Sequence, residues 1–313
     1  MARIKPHHFF QIFIALGIVF IAWEIVSWVH PPALAWGLAV AGRKPMCSTG
    51  EVYSGAVVRV NESSAFESTK ASAVEVERDK EAGLTLLRTA DGEIWTPTGS
   101  EEPTLRIISQ QTTDIYSFPE GAKASLDGAV VLDCGAHIGL YSRRVLKQGA
   151  KLVVAIEPAP INLECLRRNL REEIAEGRVK IVPKGVWDSN AVLEFFEQPS
   201  NSAADSFVAR VSTDKVTDGI EVTTIDNLAT ELGLESVGVI KMDIKGATIR
   251  ALNGSARVIE SNHPRFVIST EEKEDDPIEI SSLLAGKGYK VRCGRCSISD
   301  VFSINPDVLF FSF

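Results

Sequence analysis

The chain lacks the features that would place it in several large classes. It holds five cysteines in 313 residues, Cys47, Cys134, Cys165, Cys293 and Cys296, which do not make the disulfide framework of a small secreted scaffold. Cys293-Gly-Arg-Cys296 is a lone CxxC, and neither a second CxxC nor a nearby histidine pair supplies the two further ligands zinc would need. A disulfide or redox role and a plain turn bearing two thiols stay open. There is no excess of positive charge: 33 Lys and Arg against 41 Asp and Glu leave a net charge of −8, which argues against a nucleic-acid binder held by phosphate contacts. No internal repeat of roughly 20–50 residues is present, which removes solenoids and propellers. A composition 45% hydrophobic and 24% charged excludes a disordered or collagen-like chain.

What the chain does have begins at its N-terminus. Phe9–Val29 is an apolar run broken only by Gln11, Glu24 and Ser27, preceded by Arg3 and Lys5 and carrying Trp23 and Trp28 toward one end. About 20 such residues span a bilayer as a helix, so residues 1–30 are expected to form a single membrane anchor. A cleaved signal peptide is the alternative, with Ala39-Val40-Ala41 resembling a cleavage site, but signal cores are shorter, about 7–15 residues. Residues 31–125 read as a linker and β-rich extension of short strands broken by polar turns. Asp91-Gly92 predicts a hairpin between Leu84–Thr89 and Glu93–Pro97, and the Ser/Glu-rich stretch Asn61–Ala73 reads as a loop.

From residue 126 to 313 strands alternate with helices. Continuous apolar strands are expected at Ala129–Asp133, Leu152–Ile156, Val179–Val182, Val237–Met242 and Arg265–Ser269. A β-rich insertion falls between the third and fourth, and Tyr289–Arg292 and Val308–Phe313 close the chain as an antiparallel pair. This pattern predicts an α/β fold, Rossmann-like, with a mostly parallel seven-stranded sheet covered on both faces.

The first of these strands ends in Asp133 and runs into Cys134-Gly135-Ala136-His137-Ile138-Gly139, a glycine turn opening a helix. Glycines there let backbone approach a ligand. A nicotinamide cofactor favours three glycines, G-x-G-x-x-G, and here only the pair spaced by four is present. The turn therefore suits a ligand with an amino-acid moiety and no pyrophosphate. Glu157, 24 residues after Asp133 at the end of the second strand, is placed to accept hydrogen bonds from ribose hydroxyls.

These segments, VLDCGAHIGLYS (131–142), AIEPAPINLECLRRNL (155–170), VTTIDNLA (222–229) and IKMDIKGATIRALNG (240–254), resemble the S-adenosylmethionine-dependent methyltransferases of the seven-stranded class. More narrowly, they resemble the FkbM-type methyltransferase family. The resemblance implies S-adenosyl-L-methionine as cofactor. Asp133, Gly135, Ala136, His137 and Gly139 would then lie along its methionine and ribose side. Glu157 would hold the ribose, Pro158 would border the adenine, and Asn162 would lie near the nucleoside or cap its helix. Trp187 and Asp188 would stand where this class holds adenine, and Asp243 would face either the cofactor's amino group or the acceptor's proton.

One departure bears on catalysis. Where the family reads Asp-Val-Glu-Gly-Ala-Glu, this chain has Asp243-Ile-Lys245-Gly-Ala-Thr248, so both glutamates are gone and one is replaced by the opposite charge. The expected activity is O-methylation of a sugar, glycan or other small natural product, with Asp243 and Lys245 as the catalytic candidates. The alternative is a membrane-tethered protein that binds the cofactor without turning over. The expected partners are a small-molecule or glycan acceptor and the membrane, with no nucleic acid, and the folded domain is expected on the cytoplasmic side, where the cofactor is made.

Overall fold

Four runs of apolar residues, VVLDC, LVVAI, VIKM and RFVIS, fill the middle of a seven-stranded sheet in a computed structural model that describes residues 31–42, 46–113, 115–118, 126–198, 200–208, 215–270, 275–300 and 303–313. In order across the sheet the strands are β12 (Lys290–Cys293), β15 (Val308–Ser312), β11 (Arg265–Ser269), β10 (Val239–Met242), β4 (Val130–Cys134), β5 (Leu152–Ile156) and β6 (Val179–Val182). The neighbours from β11 through β6 pair in parallel, whereas β15 runs antiparallel to both β11 and β12. Strands buried on both faces read as continuous apolar runs, which is why the sequence pattern was informative here. Alternation divides them: Leu132, Val154, Ile240, Phe266 and Ile268 face one core, and Val131, Val153, Ala155, Val239 and Val267 face the other.

Helices α4 (Leu140–Lys147), α5 (Pro160–Asn169) and α6 (Arg171–Ala175) connect the first three of these parallel strands. α5 begins with proline in its first turn, where the missing N–H costs nothing. The insertion after β6 folds as a small sheet of β7 (Gly185–Val186), β8 (Ala191–Glu197) and β9 (Lys215–Thr223). α7 (Ile225–Glu231) leads into β10, α8 (Thr248–Asn253) and α9 (Ala256–Asn262) join β10 to β11, and α10 (Asp276–Ala285) joins β11 to β12. The antiparallel pair β13 (Cys296–Asp300) and β14 (Ser303–Pro306) comes between β12 and β15 in the chain. Gly254 separates α8 from α9, as the sequence suggested.

The N-terminal portion departs from expectation. The predicted hairpin is present as β2 (Leu84–Thr89) and β3 (Gly92–Pro97), with β1 (Val74–Asp79) beside β2. However, the stretch Asn61–Ala73 is not a loop: it is the second half of a long helix, α2 (Thr49–Ser72), which follows α1 (Pro31–Val40). A second unforeseen helix, α3 (Glu101–Thr112), follows the hairpin. α2 opens on a capping box in which Ser48 and Glu51 satisfy each other's backbone N–H groups. Its buried face is Val52, Gly55, Ala56, Glu62 and Phe66, small and charged as much as apolar, so no helical hydrophobic period marks it. Cys47, just before this cap, forms a disulfide with Cys293 at the end of β12. That resolves one half of the CxxC, while Cys296 remains a thiol. Leu84, Leu87 and Ile94 of the hairpin, Phe66 of α2 and Leu105 and Ile108 of α3 pack with Ile138 and Cys165 of the sheet domain.

The expectation of a membrane anchor, and of a membrane location drawn from it, is corrected here. Among the described residues no helix is long and apolar enough to cross a membrane. The run Phe9–Val29, on which the expectation rested, lies outside the described residues. α1, the most apolar helix described, has only 10 residues, half of what a bilayer requires.

Candidate active site

A cavity of about 580 Å³ opens over the carboxyl ends of β4, β5 and β10, within the usual range for small-molecule sites. Its roof comes from α3, through Glu102, Pro103, Arg106, Ile107 and Gln110, and from the segment Ser200–Phe207 between β8 and β9.

The floor is the turn after β4. Gly135 has φ 76° and Gly139 φ 91°, both in the left-handed region. A Cβ at Gly135 would stand 2.1 Å from the Asp243 carbonyl oxygen, so the turn can lie against β10 only without a side chain there. His137 between them also has a positive φ, 51°. The N–H groups of this turn are spent inside the protein. Gly135 and Ala136 both donate to the Ile156 carbonyl, Gly139 donates to Ala136, and the His137 N–H donates to Glu157 Oε2 at 2.8 Å. Gly135, Ala136 and His137 line the cavity, while Asp133 lies behind the wall. There Asp133 Oδ2 accepts from the Ser142 hydroxyl at 2.7 Å, and Oδ1 is 3.1 Å from the Lys241 ammonium.

Glu157 terminates β5 and is buried on the cavity wall. Oε1 accepts from the Ala159 N–H at 3.0 Å and from Asn162 Nδ2 at 3.3 Å. A carboxylate offers about four acceptor positions, and with three filled one remains on Oε2. Burial pushes its carboxyl above the ordinary range against the pull of the N–H donors and Lys241. Pro158 shares the wall; Asn162 is set back and joins Glu157 to the Ser202 carbonyl. His137 Nε2 is 2.8 Å from the Ser202 hydroxyl. Burial, helped by the Lys241 charge, lowers His137 to about 4, so the ring is neutral at pH 7.

At the β10 end, Asp243 and Lys245 line the cavity 3.2 Å apart, and the Tyr116 hydroxyl donates to Asp243 Oδ2 at 3.2 Å. Burial alone would raise the Asp243 carboxyl, but Lys245, Lys241 and Tyr116 together hold it at about 2. It is a carboxylate throughout the physiological range. Thr248, which opens α8, is buried. Trp187 and Asp188 are not on the wall: Asp188 pairs with Arg250 at 2.7 Å, and the same guanidinium lies 5.3 Å from the Trp187 ring centroid.

Sequence reasoning did not single out Lys241, Tyr116, Ser202, Asn201 or Arg106, all of them on the wall. Lys241 alone left a signal, as a lysine inside an otherwise apolar strand. The wall fits a nucleoside carrying an amino-acid end: Glu157 has an open acceptor position, and Asn201 Oδ1 is buried without a hydrogen-bond partner.

A parallel sheet with one antiparallel strand, β15, set between β11 and the edge strand β12, together with a glycine turn after β4 and an acid after β5, defines the methyltransferase-like α/β class. Within it the chain belongs to the FkbM methyltransferase family, whose Methyltransferase FkbM domain matches residues 133–291, half of the chain. It is similar to methyltransferase sdnD of Sordaria araneosa, 25% identical over 237 residues, covering 63% of this chain and 85% of the relative. It is also similar to the crystal structure of methyltransferase FkbM from Methylobacillus flagellatus, with 22% identity and a TM-score of 0.45 over 69% of this chain. This chain spans 55% of the length of that one. A further likeness is to the magnesium protoporphyrin IX methyltransferase of Synechocystis, solved with S-adenosylmethionine bound, at 15% identity and a TM-score of 0.37, covering 67% of this chain and 82% of that one.

Proposed function

We propose that the chain transfers a methyl group from S-adenosylmethionine to a hydroxyl of a sugar, glycan or other small natural product. The observation that carries this reading is Glu157, a buried carboxylate on the cavity wall beside the glycine turn, with one acceptor position still open. When bound, the cofactor supplies a methyl group already activated by its sulfonium. What remains for the protein is alignment, exclusion of water and a path for the acceptor's proton.

Glu157 would hold a ribose hydroxyl, and Gly135, Ala136 and His137 would form the surface beneath the ligand. Asp243 would accept a hydrogen bond from the acceptor hydroxyl as charge develops on its oxygen. An acid held at about 2 is a weak base, so its role is to orient and stabilise rather than to abstract the proton early. Lys245 keeps that carboxylate charged and is itself engaged by it, so its replacement of the family glutamate completes an ion pair instead of leaving a lone charge.

Calorimetry with S-adenosylhomocysteine tests the cofactor assignment. Wild type should bind, and Glu157→Gln should bind more weakly by about 1.5–3 kcal/mol, the worth of a hydrogen bond to a charged group. Absence of binding, or equal affinity in the two proteins, overturns the assignment. Turnover against a library of hydroxylated acceptors then tests the reaction, and binding without methylation of any of them favours a protein that holds the cofactor without using it.

A further inference from the structure

β10 reads Val239-Ile240-Lys241-Met242, and all four residues are buried. The Lys241 side chain is only 6% exposed, yet it carries a charge, and burying an ion costs several kcal/mol that a pairing seldom repays in stability. Its register partner on β4 is Asp133, the residue its ammonium meets at 3.1 Å. The same ammonium donates to the Gly135 carbonyl oxygen at 2.7 Å. Asp133 in turn holds Ser142, so one polar chain ties β10, β4 and the start of α4 together under the glycine turn.

Two observations bear on what Lys241 offers a ligand. An ammonium has three donors, these contacts use two, and Lys241 lines the cavity. In addition, the N–H groups of Gly135, Ala136, His137 and Gly139, which would otherwise cradle an anionic group, already serve protein acceptors. Lys241 and Lys245 are both cations on this wall near the turn, and Lys245 is paired with Asp243 at 3.2 Å, while Lys241 is the buried one held against the turn itself. Glu157, directly after β5, lies on the other side of β4, so a ligand whose ribose sits at Glu157 extends across the turn toward β10.

Resting on the cofactor reading above, we propose that Lys241 is a positioning residue for the amino-acid end of the cofactor. It fixes the Gly135 carbonyl and presents positive charge to the carboxylate of that end. S-Adenosylhomocysteine, which has the amino-acid end, and methylthioadenosine, which shares the nucleoside but lacks both amino and carboxyl groups, separate this role from simple support of the fold.

In calorimetry on the full chain, Lys241→Met should weaken S-adenosylhomocysteine by about tenfold or more and leave methylthioadenosine within about twofold. Lys241→Arg, which keeps the charge, should recover part of the loss. Equal weakening of both probes would make Lys241 a support of the turn and overturn the proposal, as would unchanged affinity for S-adenosylhomocysteine. If Lys241→Met fails to fold because Asp133 is left unpaired, the double variant Asp133→Asn with Lys241→Met buries no lone charge and is read in the same way. Wild type binding neither probe overturns the cofactor reading itself; wild type binding both, with no discrimination in the variants, overturns only the assignment of Lys241.

Discussion

His137 combines a left-handed backbone, a hydrogen bond to Ser202 and a ring that burial and Lys241 hold neutral down to about pH 4. An unfolded histidine titrates near 6.5. Between about pH 4 and pH 6.5 the unfolded chain therefore binds a proton that the native one does not, and stability falls as pH is lowered through that window. Asparagine tolerates the same backbone region and does not titrate, so thermal melts of His137→Asn should show a flatter pH dependence there than wild type. Parallel curves would remove the histidine as the cause. Gly135 gives a sharper outcome. Gly135→Ala sets a methyl carbon 2.1 Å from the Asp243 carbonyl oxygen at a positive φ, and neither backbone can retreat without moving β10 or the turn. S-Adenosylhomocysteine binding should be lost in calorimetry even where the circular dichroism spectrum stays native.

At the scale of elements, α2 shows why part of the molecule escaped sequence reasoning. Successive turns of its buried face each meet a different need. Glu51 accepts from the Cys293 N–H, and Gly55 backs onto the main chain of residues 294–296. Glu62 pairs with buried Arg295, and Phe66 lies beneath the Arg106 guanidinium at 4.0 Å. Each contact is long-range in sequence, and a face built of glycine, glutamate and phenylalanine has no hydrophobic period to read. Phe66→Ala should cost about 3–5 kcal/mol in denaturant unfolding, because it empties the cluster shared by α2, the hairpin and α3. α3 supplies much of the cavity roof, so the same variant should also bind S-adenosylhomocysteine more weakly. The sheet domain was legible for the opposite reason: continuous apolar strands and a glycine turn are local patterns. Gly135, Glu157 and Asp243 were found because they sit at strand ends within those patterns. Tyr116, Ser202 and Arg106 reach the cavity from the chain preceding the sheet and from an insertion, and their neighbours in sequence carry no mark of it. Trp187, named through the family resemblance, meets the Arg250 guanidinium on one side and, at 6.4 Å between centroids, the ring of the cavity-wall residue Phe207.

Across the whole molecule, the longest covalent reach is the disulfide between Cys47 and Cys293, 246 residues apart. It fastens the helices before the hairpin to an edge strand of the main sheet. Linking such distant positions restricts the unfolded chain strongly, by about 2–4 kcal/mol in typical proteins. Reductant should lower the melting temperature of wild type to that of Cys47→Ser and leave Cys47→Ser unchanged. Cys296 has its sulfur 4.0 Å from that of Cys47, but burial pushes its thiol up to about 12, which keeps it protonated and a poor partner for exchange. Cys296→Ser should therefore keep the full response to reductant. The same bond makes a closed covalent ring of residues 47–293, which contains the glycine turn, Glu157, Lys241 and Asp243. One protease cut anywhere inside that ring opens the chain without dividing it. A singly nicked protein should migrate as one band on a denaturing gel without reductant and as two bands with it.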